Sequence, residues 1–370
     1  MTVWKESASL ILTARHIQKY VPSMASNYNY NLLCLKRHQN SRFMPRMYVF
    51  PGGVVHPSDA DLKWHNLFST FGFDAYNFTS LTPNTPVRPS IFKFRPNELP
   101  REISLRITAI RETFEECGIL ICKQSQKDAS NFVSEKELES WQTRVHNDAT
   151  EFYTLCENFQ CYPDLWSLYE WSNWLTPTYF VGKRYDAVFY LVCIQDTPNT
   201  NCELTEIEDL IWDTPGKMLF SSTAAALPPP QQYEVARIAK FESIDNLLDF
   251  AIDRSKMGIL LNLPVKVELQ DGMVYVLPGD SMYPKHVNLL DKQVIDKTDI
   301  TIREFRDISA VTNRMEFFNL QVKELHVQNF DGTDGHIAPM AFRNVSVATT
   351  RKISKSTTKT FKCIKMLIII

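Results

Sequence analysis

The stretch RETFEECGI at residues 111–119 constrains the fold of this chain more than any other part of the sequence. It closes a helical pattern that we predict to begin near Glu102. Glu112, Glu115 and Glu116 fall on one face of this helix. Apolar side chains recur on the opposite face, namely Ile103, Ile107, Ile110, Phe114 and Cys117. The pattern therefore predicts a helix that packs on a core and presents three carboxylates on its other side.

Two interpretations of this carboxylate face are open. The simpler one is an exposed acidic helix end, in which Arg111 pairs with Glu115 four residues later. The other is a site for a hard divalent cation, because carboxylate oxygens suit Mg²⁺ or Mn²⁺. In both, Gly118 suits the left-handed conformation that commonly ends a helix.

The sequence before the helix favours the cation site. Strands are predicted at Asn31–Arg37 and Met47–Phe50, and the second runs into Gly52-Gly53. A strand, a Gly-Gly turn and a helix carrying RExxEExG resemble the Nudix box. In that family the box is a glycine, five residues, a glutamate, seven residues and REUxEExGU, where U is a bulky aliphatic residue. Gly53 matches the glycine, and residues 111–119 match the second half.

An insert interrupts this box. Gly53 and Arg111 lie 58 positions apart, which is about 44 more than the family pattern has. We place the insert at residues 56–100. It is interpreted either as a lid or substrate-binding loop or as a loosely packed surface excursion, because loops of this length tend to be functional or disordered.

The first glutamate of the box has no obvious match. Counted back from Arg111, its position is Ile103, and Glu102 is one residue out of register. That glutamate stays unassigned, with Asp59 or Asp61 as candidates for the missing acid.

Further blocks resemble one branch of the family, the peroxisomal acyl-coenzyme A diphosphatases of the nucleoside diphosphate-linked moiety X motif 19 type. They are FMPRMYVFPGG at 43–53, LRITAIRETFEECGIL at 105–120, PDLWSLYEWSNWLTP at 163–177, LPPPQQYEV at 227–235 and DGMVYVLPGD at 271–280. The resemblance implies metal-dependent hydrolysis of the pyrophosphate of coenzyme A and acyl-coenzyme A. The expected products are adenosine 3′,5′-bisphosphate and (acyl-)4′-phosphopantetheine. The alternatives are hydrolysis of another nucleoside diphosphate derivative, such as ADP-ribose, and a catalytically silent Nudix binding module.

The resemblance also implies roles for the helix residues. Glu112 and Glu116, four residues apart, are the first choice for direct ligands of Mg²⁺ or Mn²⁺. Glu115 is a third metal-site residue, which bridges a second ion or takes the proton of the attacking water. Arg111 orients Glu115 rather than contacting substrate.

Other residues are expected to bind the substrate or to support the site. Gly52 and Gly53 let the backbone approach the helix closely, because they lack side chains. Arg37, Arg42 and Arg46 are candidates for the 3′-phosphate of coenzyme A, since guanidinium groups suit phosphate.

Weaker candidates complete the site prediction. Glu206 and Glu234 are considered as general bases, although surface glutamates are the commoner interpretation. An aromatic cluster is interpreted as core rather than as an adenine platform; it comprises Trp166, Trp171, Trp174 and Tyr179.

The remaining patterns predict an α/β fold, namely a Nudix α/β/α sandwich with a mixed sheet and a mainly helical C-terminal extension. The expected boundaries are 7–226 for the Nudix domain, 227–330 for the extension and 331–370 for a poorly ordered tail. Further strands are predicted at Ala8–Ala14, Ile119–Cys122 and Arg184–Ile194, with a hairpin at Val265–Leu269 and Met273–Leu277. Further helices are predicted at Leu165–Trp174, Tyr233–Lys240 and Ile244–Arg254.

Composition limits the partners of the chain. The net charge of −2 predicts no nucleic-acid partner. No apolar run reaches the ~20 residues of a membrane helix. The eight cysteines include no CxxC pair, so we interpret them as reduced and mostly buried rather than as zinc ligands. A small-molecule substrate is expected, and the oligomeric state stays open.

The resemblance implies a peroxisomal location. The sequence ends in Leu-Ile-Ile-Ile at 367–370, which is neither Ser-Lys-Leu nor a close variant of it. The cytosol and the mitochondrion are therefore the alternative locations.

Overall fold

The computed structural model describes residues 4–16, 27–41, 44–124, 134–180, 182–203, 205–221, 226–318 and 321–343. Its strands are β1 (Trp4–Arg15), β2 (Tyr30–Arg37), β3 (Tyr48–Val49), β4 (Gly52–Val54), β5 (Cys122–Gln124), β6 (Cys161–Pro163), β7 (Tyr169–Leu175), β8 (Arg184–Ile194), β9 (Ile207–Asp213), β10 (Leu261–Asn262), β11 (Val265–Leu269), β12 (Gly272–Val276), β13 (Val294–Lys297), β14 (Thr312–Phe318), β15 (Gln321–Gln328) and β16 (Phe342–Arg343). Its helices are α1 (Lys63–Thr70), α2 (Ala75–Thr79), α3 (Arg101–Cys117), α4 (Glu135–Asn147), α5 (Glu151–Asn158), α6 (Pro215–Phe220), α7 (Pro229–Ile238), α8 (Ile244–Ser255) and α9 (Ile302–Asp307).

The first sheet is mixed, as predicted, and β1 lies at its centre. Its order is β10-β7-β8-β1-β2-β3, with β4 paired to β1 and β9 to β2. Strand β1 runs parallel to β8 from Trp4 opposite Arg184 to Ala14 opposite Ile194. It runs antiparallel to both β2 and β4. The long β1 strand therefore fixes where the short β4 strand sits.

Helices cover both faces of this sheet. Alternate side chains of a strand point to opposite faces. Leu10 and Leu12 accordingly enter the core that α3 lines, whereas Ile11 enters a second core lined by α7 and α8. This arrangement confirms the predicted α/β/α sandwich.

Helix α3 begins within one residue of the predicted start and ends at the predicted glycine. Gly118 follows its last residue with φ of 71°, in the left-handed region that favours glycine. All five residues of the predicted apolar stripe are buried. The helix therefore crosses the core with its carboxylate end fixed by packing.

The insert is part of the first core. Trp64, Phe68 and Phe78 of α1 and α2 are buried there. The Trp64 ring lies 5.9 Å from that of Phe152, measured between centroids. The interpretation as a loosely packed excursion is therefore wrong, because these aromatic side chains bury large apolar surfaces.

Two predicted elements around the ribbon of β5 and β6 are corrected. The helix expected at Leu165–Trp174 is a short 3₁₀ turn at Leu165–Ser167 followed by β7. Pairing of β7 with β8 favours the extended form, and aromatic residues such as Trp171 and Trp174 suit a buried strand. The strand expected at Ile119–Cys122 is displaced to β5, which pairs with β6.

The C-terminal extension contains more strand than expected. Helices α7 and α8 are followed by a six-stranded sheet of order β13-β11-β12-β14-β15-β16, so the mainly helical description is corrected. The predicted hairpin of β11 and β12 is confirmed. Tyr275, Phe317 and Leu325 of this sheet belong to the second core, which joins the extension to the Nudix half.

The end of the described chain contacts the extension. Met340 donates its backbone N–H to Ala236 O at 3.0 Å, and Phe342 pairs with Leu325. Residues 344–370 of the predicted tail lie outside the described residues. In the part of the chain that is described, no helix is both long and apolar enough to cross a bilayer.

Candidate active site

Strand β4 brings two glycines against the carboxylate end of α3. The Gly52 N–H donates a hydrogen bond of 2.8 Å to Glu116 Oε2. A Cβ atom on Gly53 would lie 2.3 Å from Glu112 Oε2. The close backbone approach predicted for Gly52 and Gly53 is therefore present, and a side chain at 53 would displace Glu112.

Arg111 forms ion pairs with three of the acidic side chains at this site. Its guanidinium is buried and forms a two-point ion pair with Asp59, with Nε–Oδ1 at 2.8 Å and Nη2–Oδ2 at 2.9 Å. It also contacts Glu115 Oε1 at 2.5 Å and Glu112 Oε1 at 3.0 Å. The expected pairing with Glu115 is present, and one fixed cation orients three carboxylates.

Asp59 is the acid that the box seemed to lack. Five residues separate it from Gly53, so counting forward from the glycine puts Asp59 at the position of the first glutamate. Its carboxylate is buried and accepts hydrogen bonds from Thr108 Oγ1 at 2.8 Å and from the His56 N–H at 3.0 Å. The interruption of the box therefore comes after Asp59, and the insert boundary at 56 is too early.

The two residues found by counting back from Arg111 have structural roles outside the site. Ile103 is buried in the first core, and Glu102 pairs with Arg88 of the insert at 3.3 Å. Neither residue lines the cavity described next.

The three glutamates of α3 open into a cavity of about 390 Å³. Its polar lining includes Arg37, Glu112, Glu115, Glu116, His146, Glu203 and Glu206. Its apolar lining includes Met44, Val49, Phe50, Trp174, Leu175 and Phe189. No residue of 56–100 contributes to the lining, so the interpretation of the insert as a lid or substrate-binding loop gains no support. A cavity lined by both charged and apolar side chains suits a ligand that has both kinds of group.

The glutamates share the cavity without forming a closed cage. Among the described residues, Glu112, Glu115 and Glu116 do not bring one oxygen each to within 4.8 Å of the others. Such an open set of oxygen donors fits a hard divalent ion, because Mg²⁺ keeps several waters and shares phosphate oxygens of its substrate.

Burial favours the protonated forms of these carboxyl groups. It raises the pKa of Glu112 to about 7, although Arg111 opposes the shift. It raises the pKa of Glu116 to about 8, against the opposing effect of Arg37. The pKa of Glu115 is raised by burial as well. A cation bound among these oxygens would favour their charged forms and reverse the shifts.

Arg37 is the one predicted phosphate-binding arginine at the cavity among the described residues. Its Nη1 lies 3.9 Å from Glu116 Oε1 and its Nη2 lies 3.9 Å from Glu206 Oε2. Its Nε is buried without a hydrogen-bond partner. Arg46 instead donates to Gln39 Oε1 at 2.8 Å and does not line the cavity. Arg42 lies outside the described residues.

The two candidate bases have different positions. Glu206 lines the cavity, and its side chain is 52% exposed, so it can reach a ligand there. Glu234 is fully buried and accepts hydrogen bonds from Trp171 Nε1 at 2.8 Å and Trp174 Nε1 at 2.7 Å. Glu234 is therefore a core residue, and the suggestion that it acts as a base is wrong.

The predicted aromatic cluster is dispersed. Trp166 stacks on Phe73 of the insert, with ring centroids 4.5 Å apart. Tyr179 stacks on Tyr275 of the extension at 5.1 Å. Of the four predicted residues, Trp174 alone lines the cavity, so their interpretation as packing residues agrees with the structure.

Two further residues of the cavity, Glu203 and His146, are not predicted from the sequence. Burial raises the pKa of Glu203, but hydrogen bonds from Thr205 and from the Glu206 N–H have the larger effect, so the pKa of Glu203 is lowered overall. The Glu203 N–H donates to Glu116 O at 3.1 Å, which fixes it beside the helix end. His146 reaches the cavity from the end of α4. No local motif marks either residue, because tertiary packing places both.

The fold and the site together define a Nudix domain. The family described as NUDT19 Nudix domain matches residues 4–238, and the one described as NUDT19 C-terminal domain matches residues 267–328. The chain belongs to the NUDT19 family, which confirms the resemblance seen in its sequence.

Three relatives support this assignment along most of the chain, and each is named acyl-coenzyme A diphosphatase NUDT19. The Gallus gallus protein is 33% identical over 359 residues, which cover 91% of this chain and 95% of the relative. The Xenopus laevis protein is 34% identical over 81% of this chain and 86% of the relative. The Homo sapiens protein is 30% identical over 88% of this chain and 92% of the relative.

Proposed function

We propose that this protein hydrolyses the pyrophosphate of coenzyme A and acyl-coenzyme A. The products are adenosine 3′,5′-bisphosphate and (acyl-)4′-phosphopantetheine. The observation that carries the proposal is one cavity lined both by Glu112, Glu115 and Glu116 and by apolar side chains. The relatives named acyl-coenzyme A diphosphatase support the substrate class.

The polar side of the cavity is suited to the pyrophosphate. Arg37 has a buried, unpartnered Nε and two terminal nitrogens beside carboxylates, so it can turn toward a phosphate oxygen. The apolar wall of Phe50, Trp174 and Phe189 suits the pantetheine and acyl parts, which carry no charge. A substrate bound through both its charged and its uncharged parts would have its pyrophosphate beside the C-terminal end of α3.

Nudix hydrolases use divalent metal ions, and we propose Mg²⁺ or Mn²⁺ for this protein. Glu112 and Glu116 would hold the ion directly, with Glu115 beside them. When bound, the ion neutralises phosphate oxygens and makes a water molecule acidic enough to ionise near neutral pH. Arg111, itself paired with Asp59, keeps Glu112 and Glu115 in position, and the Gly52 N–H holds Glu116.

In the proposed reaction, a water oxygen bonds to one phosphorus while the bond from that phosphorus to the bridging oxygen breaks. The bridging oxygen leaves with the other phosphate, and a water proton passes to Glu115 or to solvent. Glu115 suits this role, because burial raises its pKa and Arg111 holds it in place.

A substrate panel tests the proposal. Coenzyme A, a medium-chain acyl-coenzyme A, ADP-ribose and a dinucleotide are each incubated with Mg²⁺ or with EDTA, and the products are identified by mass spectrometry. We expect the highest kcat/KM with coenzyme A or acyl-coenzyme A, and no turnover with EDTA. A preference for ADP-ribose would overturn the substrate assignment, and binding without turnover would indicate a silent module.

We also propose a peroxisomal location. The family resemblance supports it, with the cytosol and the mitochondrion as alternatives. A fluorescent protein fused to the N-terminus, with Ile370 left free, is imaged beside a peroxisomal marker. Co-localisation is expected. A diffuse signal that becomes punctate only when Ser-Lys-Leu is appended would contradict the proposal for this form of the chain.

A further inference from the structure

Three cysteines from two separate parts of the chain meet in the first core. Cys122 lies on β5, Cys161 on β6 and Cys156 on α5. The register of the ribbon, with Cys122 opposite Pro163 and Gln124 opposite Cys161, puts the two strand cysteines on one face. The three sulfurs all lie within 4.8 Å of one another.

This geometry matches a three-thiolate metal site. Bonds of about 2.3 Å from a central ion place three sulfurs about 4 Å apart in a planar arrangement. Small side-chain rotations would therefore close the observed cluster around one ion. Cys156 and Cys161 are buried and Cys122 is partly exposed.

We propose that Cys122, Cys156 and Cys161 bind one thiophilic d¹⁰ cation, with a preference for Cu(I). Thiolate sulfur selects soft cations such as Cu(I) and Zn²⁺. Zinc in structural sites almost always takes four ligands. In the described part of the chain, no histidine or carboxylate joins the three sulfurs as a fourth donor, so a three-coordinate ion fits best.

Metal binding would deprotonate the three thiols, because the thiolate is the form of cysteine that ligates a metal. Their protons would pass to solvent, without oxidation or reduction of any group. The ion would fasten the ribbon of β5 and β6 to α5.

A competition titration tests the site on the full-length protein. The reduced protein is titrated with Cu(I) under anaerobic conditions against the chromophoric chelator bicinchoninate, and in parallel with Zn²⁺ against a zinc chelator. We expect one equivalent of Cu(I) that resists the competitor, and a higher Tm in its presence, because a ligand that binds the folded state stabilises it. X-ray absorption should show three sulfur neighbours.

Matched variants separate this site from ordinary thiol chemistry. Cys161→Ser and Cys122→Ser should each weaken Cu(I) binding at least tenfold, whereas Cys193→Ser on β8 removes a thiol elsewhere and should not. Circular dichroism shows whether each variant is folded, and the partly exposed Cys122 keeps the test valid if Cys161→Ser unfolds. Equal Cu(I) binding by all variants, no competitor-resistant Cu(I), or retention of Zn²⁺ alone would overturn the proposal.

Discussion

Substitution of Asp59 by asparagine tests the buried support of the site. The change keeps the shape of the side chain but removes the charge that faces Arg111 across two contacts of 2.8 and 2.9 Å. Loss of one partner of a buried ion pair costs about 3–5 kcal/mol. Arg111 keeps its contacts with Glu112 and Glu115, so we expect the lower end, about 3 kcal/mol, which for a chain of 370 residues corresponds to a Tm lower by roughly 4 °C.

The same change should weaken metal binding. Without Asp59, the Arg111 guanidinium interacts more strongly with Glu112 and Glu115 and competes with the ion for their oxygens. Loss of a residue that supports a metal ligand typically costs about 10–100-fold in metal affinity or activity. Activity is measured against Mg²⁺ concentration, and stability by thermal melting in EDTA.

Asp61 provides a matched control for this experiment. Among the described residues its carboxylate accepts a hydrogen bond from the local Lys63 N–H alone, at 2.9 Å, so Asp61→Asn should change neither Tm nor Mg²⁺ dependence by much. A wild-type Mg²⁺ dependence in Asp59→Asn, or equal losses in both variants, would refute the assignment of Asp59 as the supporting acid.

Three further predictions concern the glycine turn, the insert and pH. Gly53→Ala should lower activity at least tenfold while the protein still folds, because the added Cβ would clash with Glu112 Oε2. Activity assays and circular dichroism test this prediction, and full activity of the variant would contradict it. Trp64→Ala should cost about 3–5 kcal/mol of stability, because the indole is buried in the core; a denaturant titration measures it, and a cost below about 1 kcal/mol would show that the insert is not structural. Burial raises the pKa of Glu112 from 4.5 to about 7 and that of Glu116 from 4.5 to about 8, so their protonated forms stabilise the metal-free fold fully at low pH, and this stability is lost progressively as pH rises from about 4.5 to about 8. Tm in EDTA should therefore fall between about pH 5 and pH 8 and level off above it, and it should fall less in Glu116→Gln; equal slopes would contradict this.

Local signals account for the elements that sequence reasoning predicted well. Helix α3 combines an apolar stripe with a C-terminal glycine, and both are encoded within the helix itself. The hairpin of β11 and β12 is encoded by alternating residues around Asp271-Gly272. The contact of Gly53 with Glu112 is predicted by the family pattern. In that pattern a strand, a glycine turn and a helix follow one another, which requires the glycine backbone to approach the helix closely.

Long-range contacts account for the errors. The β7 segment resembles a short helix by its aromatic residues, and pairing with β8 decides that it is a strand. Asp59 stays one of two candidates in the sequence, beside Asp61, because an insert of unknown position separates it from Arg111. Glu234 resembles a surface base in the sequence, but its buried carboxylate accepts hydrogen bonds from the indoles of Trp171 and Trp174.

The cysteine cluster illustrates the same limit. Cys122 and Cys156 stand far apart in the sequence and form no metal-binding spacing with Cys161. Their meeting depends on the register between β5 and β6 and on the packing of α5. The first interpretation of the cysteines as simply buried thiols therefore could not include their convergence.

Turnover of acyl-coenzyme A by the wild-type protein and by Glu116→Gln tests the central claim most directly. The reaction is run in isotopically labelled water over a range of Mg²⁺ concentrations, and both phosphate products are analysed by mass spectrometry. The proposed metal-dependent hydrolysis predicts one labelled oxygen per turnover, in a phosphate group of a product. It also predicts that Glu116→Gln lowers activity at least about 100-fold at limiting Mg²⁺ with an unchanged fold. Full activity of Glu116→Gln at limiting Mg²⁺, or wild-type turnover that persists in EDTA, would contradict it.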